Sequence, residues 1–172
     1  MLGGQNEIVE IDESMFSKVK HFRGKDMHLM SKRRQLWVFG MKKAVLNVVQ
    51  ARNAATLLKI IYDHVRPGSV IHSDLLKAYY HIDQFKTKQF KHRTVNHTLY
   101  FVHPETGVHI NGIESSWRVA KKKIKKMCGI KRGYIQPYLD EFMWRQNNSL
   151  EYPLLLLINS INKIYPLGSN AQ

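Results

Sequence analysis

The stretch VRPGSVIHSD, residues 65–74, decides the fold class of this chain. Pro67 and Gly68 end the helical pattern that precedes them, because proline cannot continue a helix and glycine favours a turn. The apolar residues of SVIHSD then predict a short buried strand, which ends at Asp74. A helix followed at once by a buried strand is typical of folds in which helices cover a sheet.

Upstream of this stretch, the sequence predicts three consecutive strands and one helix. Residues 7–16, EIVEIDESMF, interleave β-branched and charged residues, which is typical of a strand. Residues 35–50, QLWVFGMKKAVLNVVQ, predict two more strands around a turn at residues 40–43, and we expect all three strands to be antiparallel. The helix begins after Asn53, whose side chain suits an N-cap.

Downstream, helices and strands continue to alternate. Residues 75–82 predict a helix, residues 94–102 contain a further strand, and PETG at 104–107 predicts a turn. The clearest helix covers residues 112–128, where apolar residues recur at helical spacing along one stripe. The members of that stripe are Ile113, Trp117, Ala120, Ile124 and Cys128.

Two more helices, over residues 134–147 and 152–165, complete the chain. The apolar run from Leu154 to Ile158 predicts that the second of them is buried. Three meandering strands followed by alternating helices and strands predict one α/β domain over residues 1–172, with a mixed sheet and extra C-terminal helices.

The charge of the chain is strongly positive. Lys and Arg number 27 against 13 Asp and Glu, so the formal net charge is +14. Nine of the basic residues lie in residues 17–43 and eight in residues 112–133, with one acid in each range. A charge of this size favours a polyanionic partner, either nucleic acid or an acidic membrane surface.

Several classes of protein do not fit this composition. Cys128 is the single cysteine, so the chain is not a disulfide-stapled secreted domain. Residues 1–15 show no signal peptide, and the longest apolar run is far shorter than the roughly 20 residues of a membrane helix. We therefore expect an intracellular protein without a membrane partner, in the nucleus of a eukaryotic host or the cytoplasm of a bacterial one.

Three carboxylates occupy the ends or interiors of predicted elements. Asp12 lies inside an apolar strand, Asp74 ends another, and Glu114 lies in the first turn of the basic helix. A buried carboxylate is costly unless a cation or donor meets it, and three that converge would suit Mg²⁺ or Mn²⁺. Each also has an ordinary structural explanation, as a helix cap, a helix N-terminal acid or an edge-strand surface residue. Spacing alone leaves both explanations open.

Longer blocks of sequence resemble a known family, in the family's order and over nearly the whole chain. The blocks are VEIDES at 9–14, LWVFG at 36–40, VRPGSVIHSD at 65–74, KAY at 77–79, VNHTLYFVHPETGVHINGIESSW at 95–117 and YLDEFMWR at 138–145. Together they resemble the catalytic domain of Merlin-type DDE transposases and of their bacterial insertion-sequence relatives.

The resemblance implies an RNase H-like fold, which agrees with the predicted order of strands and helices. It implies that Asp12, Asp74 and Glu114 are the catalytic acids and hold Mg²⁺ or Mn²⁺, as two ions. It also implies a basic residue seven positions after the third acid, which is Lys121 here. Seven residues are about two helical turns, so Lys121 would share a face with Glu114, within reach of a DNA phosphate.

The implied function is DNA transposition, by metal-dependent cleavage of strands at element ends and joining of the freed 3′-hydroxyls to target DNA. The implied partners are transposon-end DNA and target DNA, with self-association on the DNA. The alternative is an inactive or domesticated transposon-derived DNA-binding protein without strand transfer. The three acids favour the enzyme. The chain starts just before the first catalytic strand, so we expect the usual N-terminal DNA-binding domain to be absent. This expectation favours the alternative.

Some residues depart from the family pattern or allow a second interpretation. Leu75 and Leu76 follow the second acid, where relatives commonly carry a polar or acidic residue and a tryptophan, and His103 stands where aspartate is usual. His92, His97, His103 and His109 are spaced like zinc ligands, although contacts with the backbone or the active-site rim explain them as well. The lysines of residues 121–126 predict either a nuclear localisation signal or a phosphate-binding helix face. Trp37, Trp117 and Trp144 are predicted to pack in the core.

Overall fold

Strands from two separate parts of the chain form one mixed sheet. The computed structural model describes residues 1–18, 35–42, 45–127, 130–148 and 153–165, without the side chains of residues 17, 18 and 153. The strands are β1 (Ile8–Lys18), β2 (Gln35–Met41), β3 (Val45–Val49), β4 (Val70–Ser73) and β5 (Lys91–Thr94). Their order across the sheet is β3-β2-β1-β4-β5. The first three are antiparallel, as predicted, whereas β4 is parallel to β1 and β5 is parallel to β4.

In the described ranges of the chain, four α-helices accompany the sheet. They are α1 (Ala54–His64), α2 (Asn111–Lys126), α3 (Ile135–Asn147) and α4 (Pro153–Ile164). The start of α1 is the predicted one, because the side chain of Asn53 accepts a hydrogen bond of 3.0 Å from the Thr56 amide. Gly68, with φ of +75°, supplies the left-handed backbone conformation that turns the chain from α1 into β4.

Both faces of the sheet are covered, so the molecule has three layers. On one face, Val9, Ile11 and Ile71 pack with residues of α1. On the other face, the core contains Val38 and Leu46 from the sheet together with residues of α2 and α3. Successive side chains of a strand point to opposite faces, so Glu10 and Asp12 point to the α2 face.

Helix α3 covers the open edge of the sheet at β3. Gln136 Oε1 accepts a hydrogen bond from the Val48 amide at 2.7 Å, and Gln136 Nε2 donates to the Leu46 carbonyl at 3.0 Å. Met143 Sδ lies 2.9 Å from the Leu46 amide. These contacts satisfy backbone groups that an edge strand otherwise leaves unpaired.

Residues 75–82 do not form the predicted helix. Two short 3₁₀ helices, Lys77–Tyr79 and Ile82–Gln84, stand in that region. Asp74 Oδ1 accepts a hydrogen bond of 2.9 Å from the Leu76 amide, which holds the chain in a turn directly after β4. Tyr79 and Ile82, one from each of the two short helices, are fully buried.

The strand predicted within residues 94–102 is also placed differently. Strand β5 begins at Lys91 and ends at Thr94. The side chain of Asn96 then accepts a hydrogen bond of 3.0 Å from the Thr98 amide, and this turn directs the chain away from the sheet. Of the apolar residues that suggested a strand, Val95 is buried, whereas the four from Leu99 to Val102 are exposed, and Phe101 is the most exposed of them, at 78%.

The last helix, α4, is largely exposed, although its apolar run predicted burial. Leu154 is 69% exposed and Ile164 is 70% exposed. The reason is that α1, α2 and α3 already cover both faces of the sheet and its β3 edge. Within the described ranges, no helix has the length and apolar character needed to cross a bilayer.

Candidate active site

The first two predicted acids lie on neighbouring parallel strands. Glu10 of β1 is the register partner of His72 of β4. Continuing this register by two residues brings Asp12 level with Asp74, which directly follows β4. Every second residue of a strand shares a face, so both carboxylates belong to the face that α2 covers.

Helix α2 holds the carboxylate of Asp12 through a tryptophan. Trp117 Nε1 donates a hydrogen bond of 2.9 Å to Asp12 Oδ2. The indole ring can lie there because Gly40, the β2 partner of Asp12, has no side chain, and a Cβ at that position would clash with the ring. Trp117 is therefore a core residue, as predicted, and it also donates a hydrogen bond to the first acid, Asp12.

The negative charges of the other two acids affect the pKa of Asp12. Burial raises the pKa of Asp12 to about 6, and the negative charges of Asp74 and Glu114 also raise it, whereas the Trp117 hydrogen bond lowers it. Glu114 lies in the first turn of α2 with its side chain 45% exposed, and His97 Nδ1 lies 3.8 Å from its Oε1. Asp74 and Glu114 are thus electrostatic neighbours of Asp12.

The predicted basic residue, Lys121, extends across β1 beside this group. Its Nζ lies over the ring of Phe16, 5.5 Å from the centroid. Burial lowers the pKa of Lys121, and the negative charge of Asp12 opposes that change, so the two side chains are neighbours. Lys123 differs, because its Nζ pairs with Glu141 Oε2 of α3 at 2.7 Å. The lysines of α2 are therefore not interchangeable.

A fourth acid, which the sequence patterns did not single out, lies on the same face. Glu10 is 1% exposed, and its Oε1 accepts a hydrogen bond of 2.8 Å from Lys42 Nζ. Its Oε2 accepts one of 2.9 Å from the Ile113 amide at the start of α2. The available signal was its position two residues before Asp12, which gives both side chains the same face of the strand.

A fifth carboxylate, Glu13, was missed as well and lies on the opposite face of β1. Burial raises the pKa of Glu13 to about 8, the charges of Asp74 and Asp12 add to this rise, and Arg52 opposes it. Arg52 Nη1 lies 3.8 Å from Glu13 Oε2, and its guanidinium stacks 3.6 Å from the centroid of the Trp37 ring. Asp74 therefore has acidic neighbours on both faces of the sheet.

The donor set fits magnesium better than zinc. In the part of the chain that the structure describes, no three His, Cys, Asp or Glu side chains are grouped to hold one ion, and this applies both to the four spaced histidines and to Asp12, Asp74 and Glu114. Mg²⁺ needs no such cage, because it usually binds through one or two carboxylates and completes its shell with waters and substrate phosphates. Burial and the negative charges of Asp74 and Glu114 all disfavour the charged form of Asp12, and a bound cation would offset them.

The first of the two basic clusters, residues 17–43, lies largely outside the described residues. The second is on α2, where the side chains of Arg118, Lys122 and Lys125 are exposed. Lys91 and Arg93 of β5 are exposed as well. These side chains add positive charge to the helix and the strand that flank the acids.

Comparison with known proteins identifies the family. Residues 1–147 match the ISXO2-like transposase domain. An uncharacterized transposase-like protein of Haemophilus influenzae is 37% identical over 110 residues, which are 63% of this chain and 85% of that protein. Both similarities are to transposases of the bacterial insertion-sequence kind rather than to the Merlin type specifically. The chain belongs to the family of ISXO2-like transposase domains, which links it to DNA transposition.

Proposed function

We propose that this chain catalyses metal-dependent cleavage of DNA strands and their joining to target DNA, with Asp12, Asp74 and Glu114 as metal ligands. The parallel register of β1 and β4 is the main support, because it pairs Glu10 with His72, and each of these lies two residues before one of the first two acids. The influence of Asp74 and Glu114 on the pKa of Asp12 supports the same grouping. The five-stranded mixed sheet is consistent with the RNase H-like fold that the family resemblance implies.

Each residue has a distinct role in this proposal. A pair of Mg²⁺ or Mn²⁺ ions would activate a water or a 3′-hydroxyl and stabilise the leaving oxygen. Asp12 and Asp74 would hold or bridge the ions, and Glu114 would complete the binding site of the second ion. Trp117 orients the carboxylate of Asp12 through its 2.9 Å hydrogen bond. Lys121 would contact the scissile phosphate or the one next to it.

DNA would approach along α2 in this arrangement. Arg118, Lys122 and Lys125 are exposed on the helix that carries Glu114, and the net charge of +14 favours a polyanion. Contacts of this kind are made to phosphates, so they position the duplex without reading its sequence. Self-association on the DNA, as two element ends are joined, is part of the proposal.

The test is nicking of supercoiled plasmid and joining of a labelled 3′-hydroxyl oligonucleotide to it, with and without Mg²⁺ or Mn²⁺. Asp12→Asn, Asp74→Asn and Glu114→Gln should each reduce both reactions to background while DNA binding persists. Asp63→Asn is the matched control, because it removes an exposed carboxylate from α1 on the opposite face of the sheet.

Metal-independent nicking, or full activity in the three variants, would contradict the assignment. A wild-type chain that binds DNA but neither nicks nor joins it under these conditions would favour the transposon-derived DNA-binding protein instead.

A further inference from the structure

The end of α2 that carries Glu114 is attached to β1 by a buried carboxylate. The first amides of a helix have no partner within it, and the N-cap residue Ile110 makes no side-chain hydrogen bond to them. Glu10 Oε2 supplies one, through a bond of 2.9 Å to the Ile113 amide. Its negative charge also suits the positive end of the helix dipole. Ile113 directly precedes Glu114, so the attachment acts on the backbone beside the third acid.

Lys42 binds the other carboxylate oxygen of Glu10. Its Nζ donates a hydrogen bond of 2.8 Å to Glu10 Oε1, and its amide donates one of 2.9 Å to the Glu10 carbonyl. This pairing matters because a buried carboxylate left without a cation would be strongly destabilising. The lysine side chain passes directly over Gly112, where a Cβ would contact its terminal atoms. Gly112 thus leaves room for the ion pair beside the start of α2.

A second attachment lies one helical turn further along. Trp117, four residues after Ile113, donates its indole N–H to Asp12 Oδ2 at 2.9 Å. The two carboxylates of β1 that face α2 therefore bind the helix at two successive turns. Two attachments restrict both sliding and rotation of the helix on the sheet, and Glu114 lies between them in sequence.

We infer that Glu10 is a positioning residue, which together with Lys42 holds the first turn of α2 so that Glu114 faces Asp12 and Asp74. The inference rests on the proposed function, because that function makes Glu114 a metal ligand. Glu10 itself is occupied by Lys42 and the Ile113 amide, so it acts through the helix and not on the metal or the DNA.

The test compares Glu10→Gln with Glu7→Gln in the full chain. Both changes remove one negative charge from the same segment, but Glu7 is exposed and Glu10 is buried. Two quantities are measured: amide hydrogen exchange over residues 111–116, and Mn²⁺ affinity by calorimetry. In Glu10→Gln the side-chain amide keeps only one acceptor oxygen, so it cannot accept hydrogen bonds from Lys42 and from the Ile113 amide through separate oxygens.

We expect exchange over residues 111–116 to be about tenfold faster in Glu10→Gln, because a hydrogen bond to a charged group is lost. Mn²⁺ affinity should fall about tenfold, at the lower end of the range for residues that orient metal ligands. Glu7→Gln should change neither quantity. Lys42→Gln, at a half-exposed position, should give the same two changes to a smaller extent and is the second variant if Glu10→Gln does not fold.

Unchanged exchange over residues 111–116 in the Glu10 and Lys42 variants would overturn the inference. Faster exchange with unchanged Mn²⁺ affinity would also overturn it, because Glu10 would then stabilise the helix without positioning Glu114. A wild-type chain that binds no Mn²⁺, while exchange still responds to Glu10→Gln, would overturn the proposed function and reduce Glu10 to a helix attachment.

Discussion

Three carboxylates of one strand, Glu10, Asp12 and Glu13, have different environments although they lie within four residues. Glu10 is paired with a lysine and a backbone amide. Asp12 accepts a tryptophan N–H and has no cation in hydrogen-bond contact among the described residues, and burial raises its pKa to about 6. Glu13 points to the other face, where burial raises its pKa to about 8. Of the two carboxylates that face α2, Glu10 and Asp12, a bound cation would therefore stabilise the charged form of Asp12 more.

Lys121 is expected to matter more for turnover than any other lysine of α2. Lys121→Ala should lower the single-turnover rate of metal-dependent cleavage on the order of 10²-fold, because a phosphate contact made beside Asp12 acts in the transition state. Lys125→Ala removes the same charge from an exposed position of the same helix and should mainly weaken DNA binding. The measurement is the single-turnover rate at saturating DNA, alongside DNA affinity.

Lys123 is a poor control for this comparison because it pairs with Glu141, so its loss would also loosen the contact between α2 and α3. If Lys121→Ala and Lys125→Ala weaken binding equally and leave turnover unchanged, Lys121 belongs to a general phosphate-binding surface and has no specific role in the reaction.

At the scale of elements, the Trp117 ring of α2 packs directly against Gly40 of β2. Gly40→Ala should lower the free energy of unfolding by about 1–3 kcal/mol, because the added methyl group meets the Trp117 ring and the Leu46 side chain in a filled core. Displacement of the ring would also remove the hydrogen bond to Asp12. Urea denaturation measures the stability change.

Gly133→Ala provides the matched control for Gly40→Ala. A Cβ at Gly133 would meet nothing within 4 Å, so its effect on stability should stay within about 0.5 kcal/mol. Equal effects of the two substitutions on the urea midpoint would show that the contact of Gly40 with Trp117 is not a close one.

At the scale of the whole molecule, the excess of positive charge predicts that DNA binding is largely electrostatic and weakly sequence-specific. A protein that neutralises six to ten phosphates loses about 10³–10⁵-fold in affinity between 50 and 200 mM salt. Lys122→Ala and Lys125→Ala should each reduce the slope of log affinity against log salt by about 1 if each contacts one phosphate. The slope is measured by titrating labelled duplex at several salt concentrations.

Lys59→Ala is the control for the salt series. Lys59 lies on α1, on the other side of the sheet, and pairs with Asp63 at 2.8 Å. Its loss should leave the slope unchanged. Binding that does not depend on salt, or tight selectivity for one duplex sequence, would contradict the electrostatic description.

The sequence by itself determined most of the elements, because their signals are local. The side chain of Asn53 caps α1 within its own first turn, Pro67 and Gly68 end that helix, and apolar periodicity marks α2. Residues 75–82 were predicted wrongly because the same spacing of apolar residues serves a short α-helix and a 3₁₀ turn. The choice there depends on the side chain of Asp74, which bonds the Leu76 amide.

Spacing alone did not single out the three acids, and only the family resemblance selected Asp12, Asp74 and Glu114 from the sequence. Their grouping depends on the tertiary structure. The position of Asp12 relative to Asp74 follows from the register of two parallel strands that are about sixty residues apart in the sequence.

Only the tertiary structure decided how the candidate site is held together. The hydrogen bond from Ile113 to Glu10 spans 103 residues and the one from Trp117 to Asp12 spans 105. Contacts this distant leave no periodicity or spacing in the sequence, since each partner alone fits an ordinary strand or helix position. The exposure of α4 has the same origin: its apolar run satisfies every local criterion for a buried helix, but burial requires an uncovered apolar surface, and three other helices already cover the sheet.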